Sequence, residues 1–368
     1  MIYSTLMNTL KEKTQIAQVL IIGSGVVGKF NALKLSQNDY SVILTDPSPI
    51  NNSSNAALGI LMGKIYRKRR GRSWELRRES MNLWPKWIKT LKKYNKKIEL
   101  QRPLFKLTTD DRQFQKMVDF VSRNPNENLE IVEKNSHDLK NIKELFSEPN
   151  IRGIVSHDDG RVNPKILLEA LDDYLQEQKN VSIQNEHIVS IKKINKNWIA
   201  RSKTGKEITS NVIILCNSLN SIKLLTKEKY GLELKPVLGQ AIEIEKTNDY
   251  IDFLKLPNVL SINKINIIPI NKKKIIIGST DEFDIHPNTR NLEELFEFLN
   301  KKPTWLTSSN VTRKWYGIRS KPYGEPAPIM RTLEDGLIIC SGFYKNGILL
   351  APACANWLSK EIKKHISK

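Results

Sequence analysis

The sequence predicts an α/β chain in which a Rossmann-type nucleotide-binding domain is interleaved with an antiparallel-sheet α+β domain. Three observations carry this. An apolar run at residues 19–22 leads into Gly23-Ser-Gly-Val-Val-Gly28, then into helical spacing and a second apolar run that ends on Asp46. Between Pro236 and Thr280 the pattern changes to period-two alternation, the mark of half-buried strands. Residues 336–341 are again an apolar strand, followed by a glycine-containing loop and a helix from Gly347. Both ends of the chain therefore feed the nucleotide-binding half. With 368 residues and about 150 residues per domain, two domains are expected.

Each element has a local reason. Residues 19–23 are aliphatic up to a glycine, as in a parallel strand buried on both faces. Val27, Phe30, Leu33 and Leu35 repeat at rough helical spacing up to Ser36, Asp39-Tyr40 is a turn, and residues 41–46 form the second strand. Residues 47–63 form a loop of small side chains. Leu76, Ser80, Leu83, Trp84, Trp87, Ile88 and Leu91 then share one helical face, so the tryptophan pair reads as core. Residues 100–150 are mixed. Residues 158–164 turn into an amphipathic helix over 165–178, with Pro164 near the first turn, where its missing N–H does no harm. Strands are expected at 183–193, 198–202, 212–216, 240–245, 265–270 and 274–278, and a helix at 292–299.

Composition excludes several classes. Hydrophobic residues are 39% and charged residues 27%, without a dominant Pro, Gly, Ser or Gln tract, so the chain is neither collagenous nor mostly disordered. Three cysteines (Cys216, Cys340, Cys354) and five scattered histidines cannot build a Cys-rich zinc module or a disulfide scaffold, and no metal site is expected. The longest uncharged stretch near the end, residues 346–359, is too short to span a membrane and contains a proline. The first eighteen residues have no apolar core of signal-peptide length. A soluble protein of a reducing, cytoplasmic compartment is expected.

The net charge is +20, from 59 Lys and Arg against 39 Asp and Glu. Residues 64–78 are the densest part, eight basic residues against one acid, a net +7 that leaves +13 elsewhere. Such a balance admits a nucleic-acid or anionic-membrane partner. The run is expected to be mostly a solvated helix face and loop.

The glycine motif has the right context: a strand before it, a helix after it, and an acid 18 residues past the third glycine. Gly23 permits the tight turn, Gly25 lets a pyrophosphate reach the backbone, and Gly28 lets helix and strand lie close. The helix amino terminus offers N–H groups to phosphate, and Asp46 suits the ribose hydroxyls. The motif alone does not choose between NAD and FAD. Its place near the amino terminus, ahead of an antiparallel half, leans to FAD.

Further segments resemble the D-amino-acid oxidase family, and its glycine oxidase branch in particular. Residues 53–61, Ser-Ser-Asn-Ala-Ala-Leu-Gly-Ile-Leu, look like its flavin loop. Asp159-Gly-Arg-Val-Asn-Pro164, Pro236-Val-Leu-Gly-Gln240, Ile277-Gly-Ser-Thr280 and Trp315-Tyr-Gly-Ile-Arg319 resemble four more of its motifs. Residues 342–352, Gly-Phe-Tyr-Lys-Asn-Gly-Ile-Leu-Leu-Ala-Pro, resemble its carboxyl-terminal signature and are the most specific. The resemblance runs from Val19 to about Leu358.

It implies FAD without a metal, and oxidation of an amine beside a carboxylate to an imine, with oxygen the usual acceptor; glycine oxidase feeds thiamine synthesis. The FAD-binding domain would comprise residues 1–90, 151–225 and 335–368, and the substrate domain 91–150 and 226–334. The implied cofactor residues are Ser24 and Val27 beside the three glycines and Asp46, then Asn55, Ala56, Ala57, Gly59 and Leu61. Val189, Cys216 and Gly342 follow, with Asn346, Gly347, Ile348 and Leu349 at the start of the last helix. Cys216 is also read, with the other cysteines, as packing. Arg319 would grip the substrate carboxylate as a planar fork, helped by Lys345, with Asn266 on the strand facing substrate. The chain departs from the pattern at these places: Asn266 stands where glycine oxidase has Tyr, and Lys345 where the family has Arg. A small amino acid is the expected substrate. The alternatives are a carboxymethylaminomethyl group on tRNA, a peripheral-membrane dehydrogenase, and a flavoprotein without catalytic function.

Overall fold

The computed structural model describes residues 15–47, 53–246, 252–297, 303, 305–306 and 310–366. The first fourteen residues, and the end of the helix expected at 292–299, lie outside these.

The first unit forms as its spacing predicts. Strand β1 (Gln15–Ile22) runs into helix α1 (Val26–Ser36) and strand β2 (Val42–Thr45). Val19 to Ile22 are buried, as a strand with neighbours on both faces requires. β1 lies parallel to β2 on one side and to Glu207–Leu215 on the other. Leu337–Ser341 and Val181–Gln184 extend this parallel set outward, and Ile329–Glu334 adds an antiparallel edge. The strand expected at 183–193 is two strands, Val181–Gln184 and Ile188–Ile194; the second leaves the parallel set and pairs antiparallel with Asn197–Ser202.

Helices cover one face of this sheet. Phe30 of α1 meets the edges of Trp84 and Trp87, with centroids 5.7 and 5.5 Å away. Both tryptophans sit on helix Arg72–Leu91, and such pairs contribute about 0.5–1.5 kcal/mol beyond burial. The closing helix Gly347–Glu361 packs on α1 and on helix Arg72–Leu91.

The second sheet has eight strands. In spatial order they are Val311–Pro322, Leu234–Glu245, Lys274–Gly278, Ile265–Pro269, Val259–Ile262, Leu104–Thr108, Arg152–Ser156 and Leu129–Val132. Every pair is antiparallel except Val259–Ile262 with Leu104–Thr108. Residues 152–156 thus lie in this sheet and residues 329–334 in the first. The alternation decides the faces. Phe105, Leu107, Ile267, Ile277 and Ile242 point into an apolar core. Lys106, Asn266 and Ala241, which alternate with them, line the cavity that separates the two sheets.

The basic run is not a solvated face throughout. Lys64 and Arg69 both pair with Glu127, and Arg69 stacks 4.6 Å from the Trp74 ring and 5.0 Å from Phe120. Arg72 donates to the carbonyl of Met330, and Arg77 is buried. Each long stem covers apolar surface while its head finds an acceptor. Arg67, Lys68 and Arg70 are exposed.

Candidate active site

A cavity of about 1210 Å³ lies between the sheets and runs from the β1–α1 turn to the inner face of the second sheet. At the first end the backbone makes the shape. Gly23 has φ +108°, and a Cβ there would fall 2.6 Å from the Asn217 nitrogen. A Cβ on Gly28 would fall 1.9 Å from the Gly23 carbonyl oxygen, so only glycine lets the helix lie this close to the strand. Gly25 is the N-cap of α1 and brings no capping side chain, and the first turn of α1 has no acid. The helix amino terminus therefore faces the cavity with its partial positive charge uncompensated by a side chain of its own. The N–H of Val26 donates to Ser54 Oγ at 3.0 Å. Asp46 lines the cavity just past β2 and accepts from the Ser24 N–H at 2.7 Å.

Of the other sequence candidates, Val27, Ala56, Ala57, Gly59, Cys216 and Gly342 line the cavity. So do Asn346, Gly347 and Ile348 at the start of the closing helix. Asn346 makes no side-chain cap; its Oδ1 accepts from Arg77 Nη1 at 3.0 Å. Burial lowers the pKa of Arg77, while the Tyr66 hydroxyl and Asp159 act the other way. Six candidates are not among the lining residues: Ser24, Gly28, Asn55, Leu61, Val189 and Leu349. Leu61 and Leu349 are buried in the helix-side core. The strand Ile188–Ile194 alternates so that Ile188 faces inward and Val189 is 47% exposed; Ile188, with Glu186 and His187, takes the place expected for Val189. Cys216 accepts from Asn31 Nδ2, while Cys340 and Cys354 are buried.

At the other end side chains make the shape. The pairing Lys106–Ser261–Asn266–Gly278–Ala241–Trp315 forms one row across six strands, so these residues share the inner face. Gly317 and Arg319 follow Trp315 on the same face of their strand. Arg319 lies flat across the neighbouring strand, where a Cβ on Gly239 would fall 2.0 Å from its Nη2. Its Nη2 donates to Ser279 Oγ at 2.6 Å, and its Nη1 to the carbonyls of Leu238 and Thr280. Burial lowers its pKa, against the pull of Asp281. Lys345 does not reach into open space: its Nζ donates to Asp281 Oδ2 at 2.8 Å, the Tyr344 hydroxyl donates to the same carboxylate, and Arg319 Nη1 lies 3.6 Å from it. Burial would raise the Asp281 carboxyl, but those hydrogen bonds and charges hold it below its ordinary value. The anion that Arg319 and Lys345 share within the chain is thus Asp281. Asn266 lines the cavity between the two ends of the row.

Sequence reading missed Gly239, Ser279, Asp281, Lys106 and Arg77. Gly239 had a signal, since a glycine inside an alternating strand marks a close approach; the others are polar residues whose partners are distant in the chain. Among the described residues no group of three or more His, Cys, Asp or Glu is placed to hold a metal, and no helix is long and apolar enough to cross a membrane.

A parallel sheet with a glycine-lined turn, opening through one cavity onto an antiparallel sheet that carries a half-buried arginine, defines a dinucleotide-dependent oxidoreductase. The chain belongs to the DAO family of FAD dependent oxidoreductases, whose model matches residues 18–361, and FAD is its cofactor. It is 22% identical over 359 residues to glycine oxidase from Bacillus subtilis, covering 93% of this chain and 92% of that protein. It is 23% identical over 351 residues to the bifunctional protein ThiO/ThiG from Synechocystis, covering 93% of this chain. The chain spans 51% of that relative, and the match to the Nostoc ThiO/ThiG covers 20% of it. The crystal structure of glycine oxidase from Bacillus cereus superposes with a TM-score of 0.78 at 19% identity, over 95% of this chain and 96% of that one. The residues fit the cofactor. The uncapped α1 turn and Gly25 suit the pyrophosphate, Asp46 the ribose, and the uncapped start of helix Gly347–Glu361 an electron-rich ring edge.

Proposed function

We propose that the protein oxidises a small amino acid, a primary or secondary amine beside a carboxylate, to its imine, with oxygen as the electron acceptor. The observation that carries this is Arg319. It is a cation half-buried against the wall of the cavity, laid over Gly239 and pinned by Ser279. A guanidinium held this rigidly can grip a carboxylate in one orientation at little cost in side-chain entropy.

Bound FAD would take up the hydride that leaves the α carbon. The chain's own residues place and shield. Arg319 holds the carboxylate, and Asn266 offers an amide to the amine or to the far side of the substrate. Gly239, Ala241, Gly278 and Gly317 keep the sheet floor flat between them. Asp281 competes with the substrate carboxylate for Arg319 and Lys345, so the substrate enters by exchanging one carboxylate for another. No general base is needed if the amine binds neutral.

The test is anaerobic mixing of the purified yellow protein with a panel of amino acids and of amines lacking a carboxylate, following flavin absorbance. Bleaching by amino acids alone supports the reading; equal bleaching by amines without a carboxylate overturns the role of Arg319.

A further inference from the structure

We propose that the substrate carries a second anionic group, a carboxylate or phosphate, held by Lys106 and Arg67 at the far end of the inner sheet face from Arg319. This rests on the reading above for the first carboxylate.

Among the described lining residues the only carboxylates are Asp46 and Glu186, both at the nucleotide end. The rest of the wall carries Arg319, Lys345, Lys106, Arg67, Lys68, Lys264 and Arg77, the last donating to Asn346 Oδ1. Arg319 and Lys345 have Asp281 beside them. Lys106, Arg67, Lys68 and Lys264 have no ion-pair partner among the described residues. Glu127 does not serve them, because it is taken by Lys64 and Arg69.

Lys106 is the most informative of the four. It is half-buried, and burial followed by the charge of Arg67 holds its pKa below the ordinary lysine value. The carboxylate that acts on it, Asp159, is itself committed to the N–H groups of Gly63, Lys64 and Ile65 at 2.8 to 2.9 Å. A desolvated ammonium without a counter-ion is unfavourable in the empty site and becomes favourable once an anion arrives. Its neighbours on the same strand, Phe105 and Leu107, face the apolar core, so the alternation of the strand turns Lys106 to the cavity.

The same row sets the length of the substrate. The Arg319 guanidinium lies over Gly239, on a strand four inter-strand steps from that of Lys106, about 19 Å at ~4.8 Å each. The Lys106 side chain closes part of this, leaving a gap on the order of 10 Å. Glycine cannot touch both ends; an extended amino acid with an anionic terminus can, passing over Ser261 and Asn266.

The test is calorimetric titration of the purified holoprotein with suberate, an eight-carbon dicarboxylate, and with octanoate, its single-carboxylate match in length. Neither requires turnover. Suberate is expected to bind at least tenfold more tightly than octanoate, and the Lys106→Met variant to lose that difference while octanoate binding stays unchanged. Lys106→Met removes an unpaired buried charge, so its thermal midpoint should be equal or higher, which separates loss of binding from loss of fold. Arg67→Gln should lose a smaller part. Equal binding of suberate and octanoate by the wild type, or equal weakening of both by Lys106→Met, overturns the proposal. So does tight, salt-dependent tRNA binding that suberate does not displace, because the cations would then serve backbone phosphates. Suberate selectivity without flavin bleaching by any amino acid would leave the second anion site standing and refute only the oxidase reading.

Discussion

The two ends of the cavity are built by opposite means. The nucleotide end is made of backbone: Gly23, Gly25 and Gly28 shape it, and the two acids among the described lining residues, Asp46 and Glu186, are both there. The substrate end is made of long cationic side chains resting on a floor of Gly239, Gly317, Gly278 and Ala241. The first is rigid because its alternatives collide. The second is held by hydrogen bonds among residues far apart in sequence, such as Arg319 to Ser279 and Lys345 to Asp281. A cofactor common to a family suits the first, and a substrate particular to one member suits the second.

The largest expected effect breaks the rigid end. Gly28→Val places a branched side chain where even a Cβ lies 1.9 Å from the Gly23 carbonyl. The helix must move away from the strand, and the protein should purify without FAD, measured as flavin released on heating. A Gly28→Val protein that keeps stoichiometric FAD would falsify the claim that backbone closeness defines this end.

The next largest effect concerns the substrate end with the nucleotide end left intact. Arg319→Ala should lower kcat/KM for the best amino acid by on the order of 3 kcal/mol, since a charge-assisted pair is lost. Arg319→Lys should fall between, keeping charge without the fork. Gly239→Ala puts a methyl into the guanidinium and should lower kcat/KM with FAD content unchanged. If Gly239→Ala instead loses flavin, the two ends are not independent.

The same contrast explains what the sequence made legible. The β1–α1–β2 unit, the closing helix and the glycines of the β1–α1 turn were readable, because apolar periodicity and glycine carry their reasons locally. The partners of charged side chains were not. Arg319 stood out through resemblance alone. Nothing in residues 64–78 separates Arg69, stacked between Trp74 and Phe120, from exposed Arg70. Val189 came from resemblance; its side chain is 47% exposed, and its neighbour Ile188 lines the cavity. Lys106 gave no signal, since its isolation depends on which acids the fold brings near it.

A third experiment sharpens that point within the basic run. Arg69→Glu sets a second carboxylate against Glu127 and strips a cation from two rings, so the thermal midpoint should drop by several degrees. Arg70→Glu, on an exposed side chain, should stay within about 0.5 kcal/mol of wild type. Equal effects would mean that the run is a solvated face after all.

The smallest expected effect is a pH dependence, and it isolates Glu127. Burial would raise this carboxyl, but hydrogen bonds from Lys64 and Arg69, and then their charges, hold it below the ordinary value. A depressed folded pKa means that the unfolded chain binds the proton more readily. Stability from this group is therefore complete above the unfolded value of about 4.3, and is lost as pH falls through the folded value. Glu127→Gln should thus melt lower than wild type at pH 6, and the gap should narrow as pH falls toward 3. Asp281 and other depressed carboxyls add acid sensitivity to both proteins equally, so the difference between the two melting curves, not either curve alone, reports Glu127. A gap that is constant from pH 6 to pH 3 would mean that Arg69 is held by its contacts with the Lys64 carbonyl, Trp74 and Phe120, and that the carboxylate of Glu127 is incidental.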